Sequence, residues 1–303
     1  MNRVSGEPPS KVPRLEAELL VDAHAALGEG PVWDETGGCL WWVDILGEAI
    51  HRTDPGTGRD ETMPIGQVIG AVALRASGGL VAAVRDGFVA VDPATGRIDL
   101  LAPVESGDPT TRMNDGKVDP AGRFWAGTMG FDHRPKAGTL YRLDPDLRVT
   151  PVLHGTTISN GLDWSLDGRT MYYIDTPTRR VDRFAFDPST GAIASRTPAI
   201  AFRDRAGSPD GMTVDAEGYL WVALWDGWAV ERYAPDGRLD RLVEVPAAQA
   251  SSCTFGGPNL DLLFITTAQE GFPLGGLPEQ PHAGGLFVCV PGVRGRKPFR
   301  FAG

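Results

Sequence analysis

Short hydrophobic segments return along this chain at a nearly constant spacing, and this repeat restricts its fold more than any other feature. The segments begin at Leu40, Leu80, Phe124, Met171, Leu220 and Leu263, so successive starts lie 40 to 49 residues apart. Turn sequences ending in glycine precede most of them, as in Asp119-Pro120-Ala121-Gly122 and Asp215-Ala216-Glu217-Gly218. Glycine and aspartate suit such turns, because glycine accepts a positive φ and the aspartate side chain bonds nearby backbone N–H groups.

A second turn recurs later in the repeats and raises the number of strands expected. It has the form Asp-Pro-x-Thr-Gly at 54–58, 92–96 and 187–191, with a degenerate copy at Pro235-Asp236-Gly237. Two hairpin turns per repeat imply four short strands, and a repeat of roughly 40–50 residues with four strands is the spacing of propeller blades. We therefore predict an all-β, six-bladed β-propeller with four-stranded antiparallel blades around a central channel. An open sandwich with coincidental turns is the alternative.

The first residues of the chain precede the repeat. Residues 1–14 are polar and contain proline, without the apolar stretch of a signal peptide, and we expect a disordered N-terminal tail. Residues 15–23 alternate loosely, and we predict that they form the outer strand of the last blade, with a helix as the weaker alternative. Closure of this kind removes exposed strand edges, which invite aggregation. A single propeller domain is expected over 15–303.

Charge and cysteine content narrow the classes of partner and location. The net charge of −10 argues against nucleic acid, whose phosphates require a basic face. It fits carboxylates gathered around a cation, or merely aids solubility. No apolar run is long enough to span a membrane, so no membrane partner is expected. Cys39, Cys253 and Cys289 lack metal-ligand spacing and are expected to be buried free thiols in the cytoplasm. A closed propeller needs no partner chain, so we expect a monomer.

Four polar residues occupy matching positions in four of the repeats. Glu29, Asn114, Asn160 and Asp210 each lie 10 or 11 residues before a hydrophobic segment. Equivalent positions of different blades converge on the axis of a propeller, and a glycine directly after three of the four lets the backbone pack tightly there. An isolated Asn-Gly or Asp-Gly is usually only a turn, but four matching positions favour a site. Carboxylate and amide oxygens suit Ca²⁺, Mg²⁺, Mn²⁺ or another divalent ion, whereas a tetrahedral structural zinc site would require His or Cys.

These segments resemble the regucalcin (senescence marker protein)/gluconolactonase family of sugar lactonases. The matching stretches are 28–33, 112–129, 158–164, 209–212 and 253–257. The resemblance covers about residues 15–303 and implies a six-bladed propeller with one divalent metal in its channel. Ca²⁺ is the first expectation for this cofactor, and Zn²⁺, Mn²⁺, Mg²⁺ or Fe²⁺ are the alternatives.

The family motifs also imply roles for individual residues. They imply three metal ligands: Glu29, Asn160 and Asp210. They imply that Arg112 and Asn114 contact the sugar lactone, with Asn114 close to the metal or on it. A substrate-contacting glutamate of the family falls at Asp132 here, and this shorter side chain leaves the sugar preference open. An inter-blade or surface salt bridge is the alternative role for Arg112, and a structural role is favoured for Asp115 and Lys117.

With such a site, the resemblance implies hydrolysis of an aldonolactone, such as glucono-, xylono-, arabino- or galactonolactone, to the free acid. A divalent cation polarises the lactone carbonyl, stabilises the oxyanion and lowers the pKa of bound water. Asp210 is the expected acceptor of the proton from the attacking water, although a ligand carboxylate is a weak base. Arg112 can hold ring hydroxyls or the carbonyl oxygen through its fork of N–H donors.

Two other functions stay open. One is hydrolysis of other esters or organophosphates, and the second is a non-catalytic calcium-binding or interaction propeller, because a fold alone does not give a function. The loops near 130–137 and 268–284 are expected to select the sugar. Trp225 and Trp228 are candidates for stacking on a sugar ring, whereas the other tryptophans are expected to pack between sheets.

Overall fold

The computed structural model describes residues 12–203, 205–273 and 277–303. These residues contain 25 β-strands and one short 3₁₀ helix, Thr176–Thr178. The strands form six separate sheets, each of four or five strands. The predicted all-β, six-bladed propeller is therefore confirmed. Within the described ranges, no helix has the length and apolar character of a membrane span.

The strand bounds follow the repeat read from the sequence. Two strands precede the first blade: β1 (Arg14–Glu16) and β2 (Glu18–Val21). Blade one contains β3 (Gly28–Asp34), β4 (Cys39–Asp44), β5 (Ala49–Asp54) and β6 (Arg59–Pro64). Blade two contains β7 (Ile69–Leu74), β8 (Leu80–Val84), β9 (Gly87–Asp92) and β10 (Arg97–Pro103). Blade three contains β11 (Thr111–Val118), β12 (Phe124–Gly130), β13 (Gly138–Leu143) and β14 (Val149–Thr156).

The second half of the chain repeats this pattern. Blade four contains β15 (Ser159–Trp164), β16 (Thr170–Asp175), β17 (Arg180–Asp187) and β18 (Ala192–Ala201). Blade five contains β19 (Ser208–Val214), β20 (Leu220–Trp225), β21 (Ala229–Tyr233) and β22 (Leu239–Glu244). Blade six contains β23 (Ala250–Gly256), β24 (Leu262–Thr267) and β25 (Leu286–Cys289). The first strand of every blade contacts the first strands of both neighbouring blades, so these six strands form a closed ring around the channel.

The N-terminal residues close the ring. Strand β2 pairs antiparallel with β25 and becomes the outer strand of blade six, as predicted for residues 15–23. Leu15 and Glu16 differ from that prediction, because they belong to β1, which pairs in parallel with β22 and adds a fifth strand to blade five. The chain thus passes from the edge of one blade to the edge of the next at Ala17. Of the predicted tail 1–14, residues 1–11 lie outside the described residues, and Arg14 begins β1.

In blades three and five, a turn aspartate bonds a tryptophan at the same strand position. Asp119 accepts a hydrogen bond of 3.0 Å from the backbone N–H of Arg123, which closes its turn, and another of 3.0 Å from Trp125 Nε1. Asp215 accepts a bond of 2.9 Å from Trp221 Nε1 in the same way. Both indoles are fully buried, so each aspartate satisfies a donor that would otherwise be stranded in the core. The predicted packing role of these tryptophans is confirmed.

The C-terminal segment 290–303 crosses one end of the channel. Its backbone bonds to Ala216 of blade five, Leu260 of blade six and Leu74 of blade two, at 2.7 to 2.9 Å. Between this segment and the inner strands, a space of about 60 Å³ remains. Arg296 projects from the segment and pairs with the buried carboxylate of Asp163. The segment therefore fills this end of the channel.

Candidate active site

The inner strands share a β-bulge at the position where the sequence places the site. Their pairing with the second strand shifts register between Glu29 and Val32, Met113 and Gly116, Ser159 and Leu162, and Pro209 and Met212. A bulge interrupts the hydrogen-bond ladder and re-aims the side chains next to it. The predicted site residues Glu29, Asn114, Asn160 and Asp210 lie at or directly beside these four bulges, and all four are buried.

Glycine follows the site residues because the strands approach each other closely. A Cβ atom on Gly161 would lie 2.6 Å from the backbone oxygen of Asp210, in the next blade. A Cβ atom on Gly211 would lie 2.2 Å from Oγ of Ser252. Any side chain at either position would push neighbouring blades apart. The crowded axis expected from the sequence is confirmed.

Two aspartates fix the entry of the chain into the inner strands. Asp44 accepts hydrogen bonds of 2.9 Å from the two backbone N–H groups that directly precede β3. Asp175 accepts bonds of 2.9 to 3.2 Å from the corresponding groups before β15. Since Glu29 and Asn160 are each the second residue of their strand, these contacts fix the position of both side chains along the channel axis.

A chain of hydrogen bonds links the site residues across three blades. Arg112 Nη1 donates to Asn114 Oδ1 at 2.6 Å, and Asn114 Nδ2 donates to Asn160 Oδ1 at 2.9 Å. Asn160 Nδ2 donates to Thr176 Oγ1 at 2.8 Å, and that hydroxyl donates to the Pro209 carbonyl at 2.8 Å. The network fixes the orientation of both amides, so the Asn160 oxygen is held on the side that faces Asn114.

The acidic groups of the site disfavour one another's charge. Burial and the nearby Asp115 raise the pKa of Glu29 to about 8. Burial together with Glu29 and Asp115 raises the pKa of Asp210 well above its ordinary value. Burial lowers the pKa of Arg112 to about 10, which leaves the guanidinium charged at neutral pH, yet its charge offsets the raised pKa values of Glu29 and Asp210 only in part. A bound cation would relieve this repulsion, which is the electrostatic pattern of a metal site.

The donor set fits a hard divalent cation. It consists of the carboxylates of Glu29 and Asp210 and the amide oxygen of Asn160, all buried and lining one cavity. Such oxygen donors match Ca²⁺ and Mg²⁺. In the described part of the chain, this site included, no group of three or more His, Cys, Asp or Glu residues is arranged to hold a metal ion, so the donor set depends on the amide oxygen of Asn160.

These residues lie in a cavity of about 330 Å³ at the end of the channel where the inner strands begin. Its polar lining includes Glu29, Arg112, Asn114, Asn160, Asp210 and Glu270. Its apolar lining includes Leu27, Ile45, Met129 and Trp225. The structure thus brings together five of the six residues that the sequence singled out for a metal and its substrate.

Comparison with known proteins places this architecture in a family. The family model described as the SMP-30/Gluconolactonase/LRE-like region matches residues 27–269. The chain belongs to this family. The resemblance noted in the sequence motifs is therefore confirmed.

Individual members of the SMP-30/gluconolactonase family match over nearly their full length. Regucalcin of Xenopus laevis is 40% identical over 296 residues, covering 95% of this chain and 99% of regucalcin. A Bacillus subtilis protein, provisionally named the sugar lactone lactonase YvrE, is 38% identical over 290 residues, with the same coverage of 95% and 99%. The crystal structure of an Agrobacterium tumefaciens regucalcin, described as a calcium-binding protein, has a TM-score of 0.91 and 32% identity, covering 96% and 99% of the two chains.

One predicted residue of this family member lies apart from the cavity. The side chain of Asp132 is 62% exposed and accepts hydrogen bonds of 3.2 Å from the backbone and the guanidinium of Arg134. Its neighbour His133 lines the cavity instead. The two tryptophans considered for sugar stacking also differ, since Trp225 lines the cavity whereas Trp228 is 41% exposed and borders a separate surface groove.

Two residues of the site escaped the sequence analysis. Thr176 follows the second strand of blade four and bridges Asn160 to the next blade. Glu270 follows the second strand of blade six and lines the cavity. Both lie outside the repeated inner-strand position, so the repeat gave no signal for them. Glu270 does fall in 268–284, one of the two loops expected to select the sugar.

Proposed function

We propose that this SMP-30/gluconolactonase family member is a metal-dependent sugar lactonase that opens an aldonolactone, such as glucono-, xylono- or arabinolactone, to the aldonic acid. The observation that carries the proposal is the buried pair of Glu29 and Asp210 beside the amide of Asn160, in a cavity that also presents Arg112. The family description and the name of the Bacillus subtilis relative support lactone as the substrate class.

We propose Glu29, Asn160 and Asp210 as the residues that hold the cation. Ca²⁺ is our first candidate, because the Agrobacterium tumefaciens regucalcin is described as a calcium-binding protein. Zn²⁺, Mn²⁺, Mg²⁺ and Fe²⁺ are the alternatives. When bound, the cation supplies Lewis-acid polarisation of the lactone carbonyl.

Asp210 is our candidate for the proton acceptor. Its carboxylate would take a proton from the water that attacks the carbonyl carbon, after which the ring C–O bond breaks and the ring oxygen takes up a proton. Burial and the charges of Glu29 and Asp115 raise the pKa of Asp210 in the metal-free site, but a bound cation would lower it again. Its candidacy as the base therefore rests on its place in the cavity beside the other proposed ligands. The net reaction adds one water to the lactone and yields a hydroxy acid.

Arg112 and Asn114 are our candidates for substrate contact. The Nη1 group of Arg112 is bonded to Asn114 and to the Met113 carbonyl, at 2.6 and 3.1 Å. Its Nε and Nη2 groups find no acceptor within the described residues and so are available to oxygens of the lactone. Asp132 also stays a proposed contact, for parts of a substrate that extend beyond the cavity mouth.

Acid release from glucono-, xylono- and arabinolactone, followed with a pH indicator, tests the proposal. Metal-stripped protein would receive Ca²⁺, Mg²⁺, Mn²⁺, Fe²⁺ or Zn²⁺ one at a time, and we expect metal-dependent turnover well above the spontaneous rate. Faster turnover of aryl esters than of sugar lactones would favour the ester or organophosphate hydrolase. Tight metal binding with no acceleration of any substrate would favour the non-catalytic calcium-binding propeller.

We also propose a cytoplasmic location and a monomeric state. Cys39, Cys253 and Cys289 are all buried free thiols, the state that a reducing compartment maintains. The blades form a closed ring that is completed within one chain by β2. Sedimentation at micromolar concentration tests the oligomeric state, and a dimer mass would contradict it.

A further inference from the structure

Glu270 is an anchored carboxylate of the cavity that the proposed reaction does not use. It lies on the loop after β24, and its side chain lines the same cavity as Glu29 and Asp210. Its backbone N–H and carbonyl form a reciprocal pair with the side-chain amide of Gln249, at 2.9 and 3.0 Å. Because Gln249 is itself buried, the loop is fixed at this point, and little conformational entropy is lost when a ligand binds there.

Within the described ranges, Glu270 forms hydrogen bonds through its backbone alone. Its carboxylate has no protein partner there. Glu270 and Arg112 nevertheless line the same cavity. Among the charges that favour the protonated form of Arg112, Glu270 has the largest influence on its pKa, ahead of Glu29 and Asp210. The two groups form no direct ion pair, so an acceptor and a set of donors border the same open space.

An aromatic surface completes this part of the cavity. Trp225 lines it and packs against the hydrophobic cluster that contains Leu27, Ile45 and Ala268. A sugar ring presents apolar C–H groups on its faces and hydroxyls at its rim. An aromatic face packs well against the apolar C–H groups, and a carboxylate accepts strong hydrogen bonds from the hydroxyls.

We propose that Glu270 determines substrate specificity by accepting hydrogen bonds from the ring hydroxyls of a neutral, polyhydroxylated lactone held between it and Arg112, with Trp225 against the apolar face of the ring. The assignment rests on the proposed lactonase function and adds a selection rule to it. A lactone without hydroxyls leaves a desolvated carboxylate unpaired and is disfavoured. A lactone that carries its own carboxylate is repelled by Glu270 together with the two acidic ligands.

The test compares Glu270→Gln and Glu270→Ala with the wild-type protein, all loaded with the same metal, on glucono-δ-lactone and on δ-valerolactone, which has the same ring without hydroxyls. We expect both variants to raise KM for gluconolactone about tenfold, as for one lost charge-assisted hydrogen bond, with kcat changed less than about twofold. KM for δ-valerolactone should stay the same or fall. Glu279→Gln is the matched control, since Glu279 is exposed on the same loop and should change neither constant.

A second measurement does not depend on turnover. Ligand-observed NMR titration with a cyclic polyol that lacks the carbonyl should show about tenfold weaker binding to Glu270→Ala than to the wild type. A collapse of kcat on both lactones with unchanged KM would assign Glu270 to proton transfer and overturn the proposal. Equal losses of kcat/KM on both lactones would assign Glu270 a structural role and would also overturn the proposal. If the wild type hydrolyses neither lactone but Glu270→Ala still loses the polyol, the lactonase proposal fails while the hydroxyl-binding role of Glu270 stands.

Discussion

Asn114 donates a hydrogen bond of 2.9 Å to the side-chain oxygen of Asn160, across the junction of blades three and four. The same Asn114 side chain accepts a bond of 2.6 Å from Arg112. One amide therefore connects the proposed substrate-binding guanidinium to the proposed metal ligand. We therefore expect a change on either side to affect the other through this buried residue.

Replacement of Asn114 by alanine should weaken both functions of the site at once. Asn160 loses the donor that orients its oxygen, and Arg112 loses its shortest acceptor. We expect Ca²⁺ affinity, measured by calorimetry, to fall about 10–100-fold, as for partners that orient metal ligands elsewhere. KM for gluconolactone should rise in parallel. The exposed Asn259 replaced by alanine is the control, and unchanged Ca²⁺ affinity in Asn114→Ala would disprove the coupling.

Replacement of Glu29 by glutamine should abolish metal binding and yet stabilise the metal-free protein. The variant removes one carboxylate from a buried acidic group in which, besides burial, Asp115 raises the pKa of Glu29, and Glu29 and Asp115 raise the pKa of Asp210. We expect calorimetry to show no Ca²⁺ binding. Lactonase activity should fall at least 100-fold, about the loss that removal of a catalytic metal causes. In EDTA at pH near 8, the midpoint of thermal unfolding should be higher than that of the wild type. A lower midpoint in EDTA would show that Glu29 is not under electrostatic strain.

The stability of the metal-free protein should depend on pH through Glu29. Its pKa is raised from the ordinary 4.5 to about 8, so the folded state retains a proton that the unfolded chain releases. The folded state therefore binds more protons in this window, and the free energy of unfolding falls as pH rises from about 4.5 to about 8. Denaturant unfolding in EDTA at several pH values measures the slope, which Glu29→Gln should reduce. Ca²⁺ affinity should strengthen over the same range, because the ligands must lose their protons; affinity independent of pH would contradict the assignment.

Replacement of Arg296 by methionine should release the C-terminal segment. Burial alone would raise the pKa of Asp163, but Arg296 and Lys117 lower it below its ordinary value. Because the variant leaves that carboxylate without its closest charged partner, we expect the free energy of unfolding in urea to fall by about 3 kcal/mol. Lys297→Met is the control, since this exposed lysine pairs with Glu35 at the surface. Its replacement should lower the free energy of unfolding by less than about 1 kcal/mol.

The double variant Arg296→Met/Asp163→Asn separates the ion pair from the packing of the arginine stem. It should recover part of the stability, because the uncompensated charge is gone. Equal stability losses in the Arg296 and Lys297 variants would show that the segment is not anchored by this pair.

The blades could be predicted from the sequence because their signals are local. Hydrophobic segments such as Leu40-Trp41-Trp42-Val43 and the turns around Asp119 are read within a few residues, and their spacing gives the number of blades. Residues Leu15 and Glu16 were assigned to the wrong blade, since their pairing with β22 joins segments more than 220 residues apart and leaves no local pattern. The convergence of Glu29 and Asp210 was predictable because it follows from the symmetry of the repeat.

Loop residues could not be predicted in the same way. Thr176 and Glu270 lie in connections whose length and course differ between blades, so no repeated position marks them. Asp132 was assigned by the family motif, but a motif does not specify rotamers. In the structure its carboxylate is bonded to Arg134, two residues further along the same turn, and Asp132 is not part of the cavity lining.

The channel of a propeller has two openings. Here the C-terminal segment that carries Arg296 fills one of them, so the cavity of the candidate site opens at the other end alone. Substrate must enter, and product must leave, on the side bordered by Trp225 and His133. Ring opening would create a new carboxylate at the bottom of this dead end, next to Glu29, Asp210 and Glu270. Under the proposed reaction a bound divalent cation would balance Glu29 and Asp210, so their charge alone does not expel that carboxylate. Substrate and product share this one opening, and each product molecule must leave before the next substrate can reach the site.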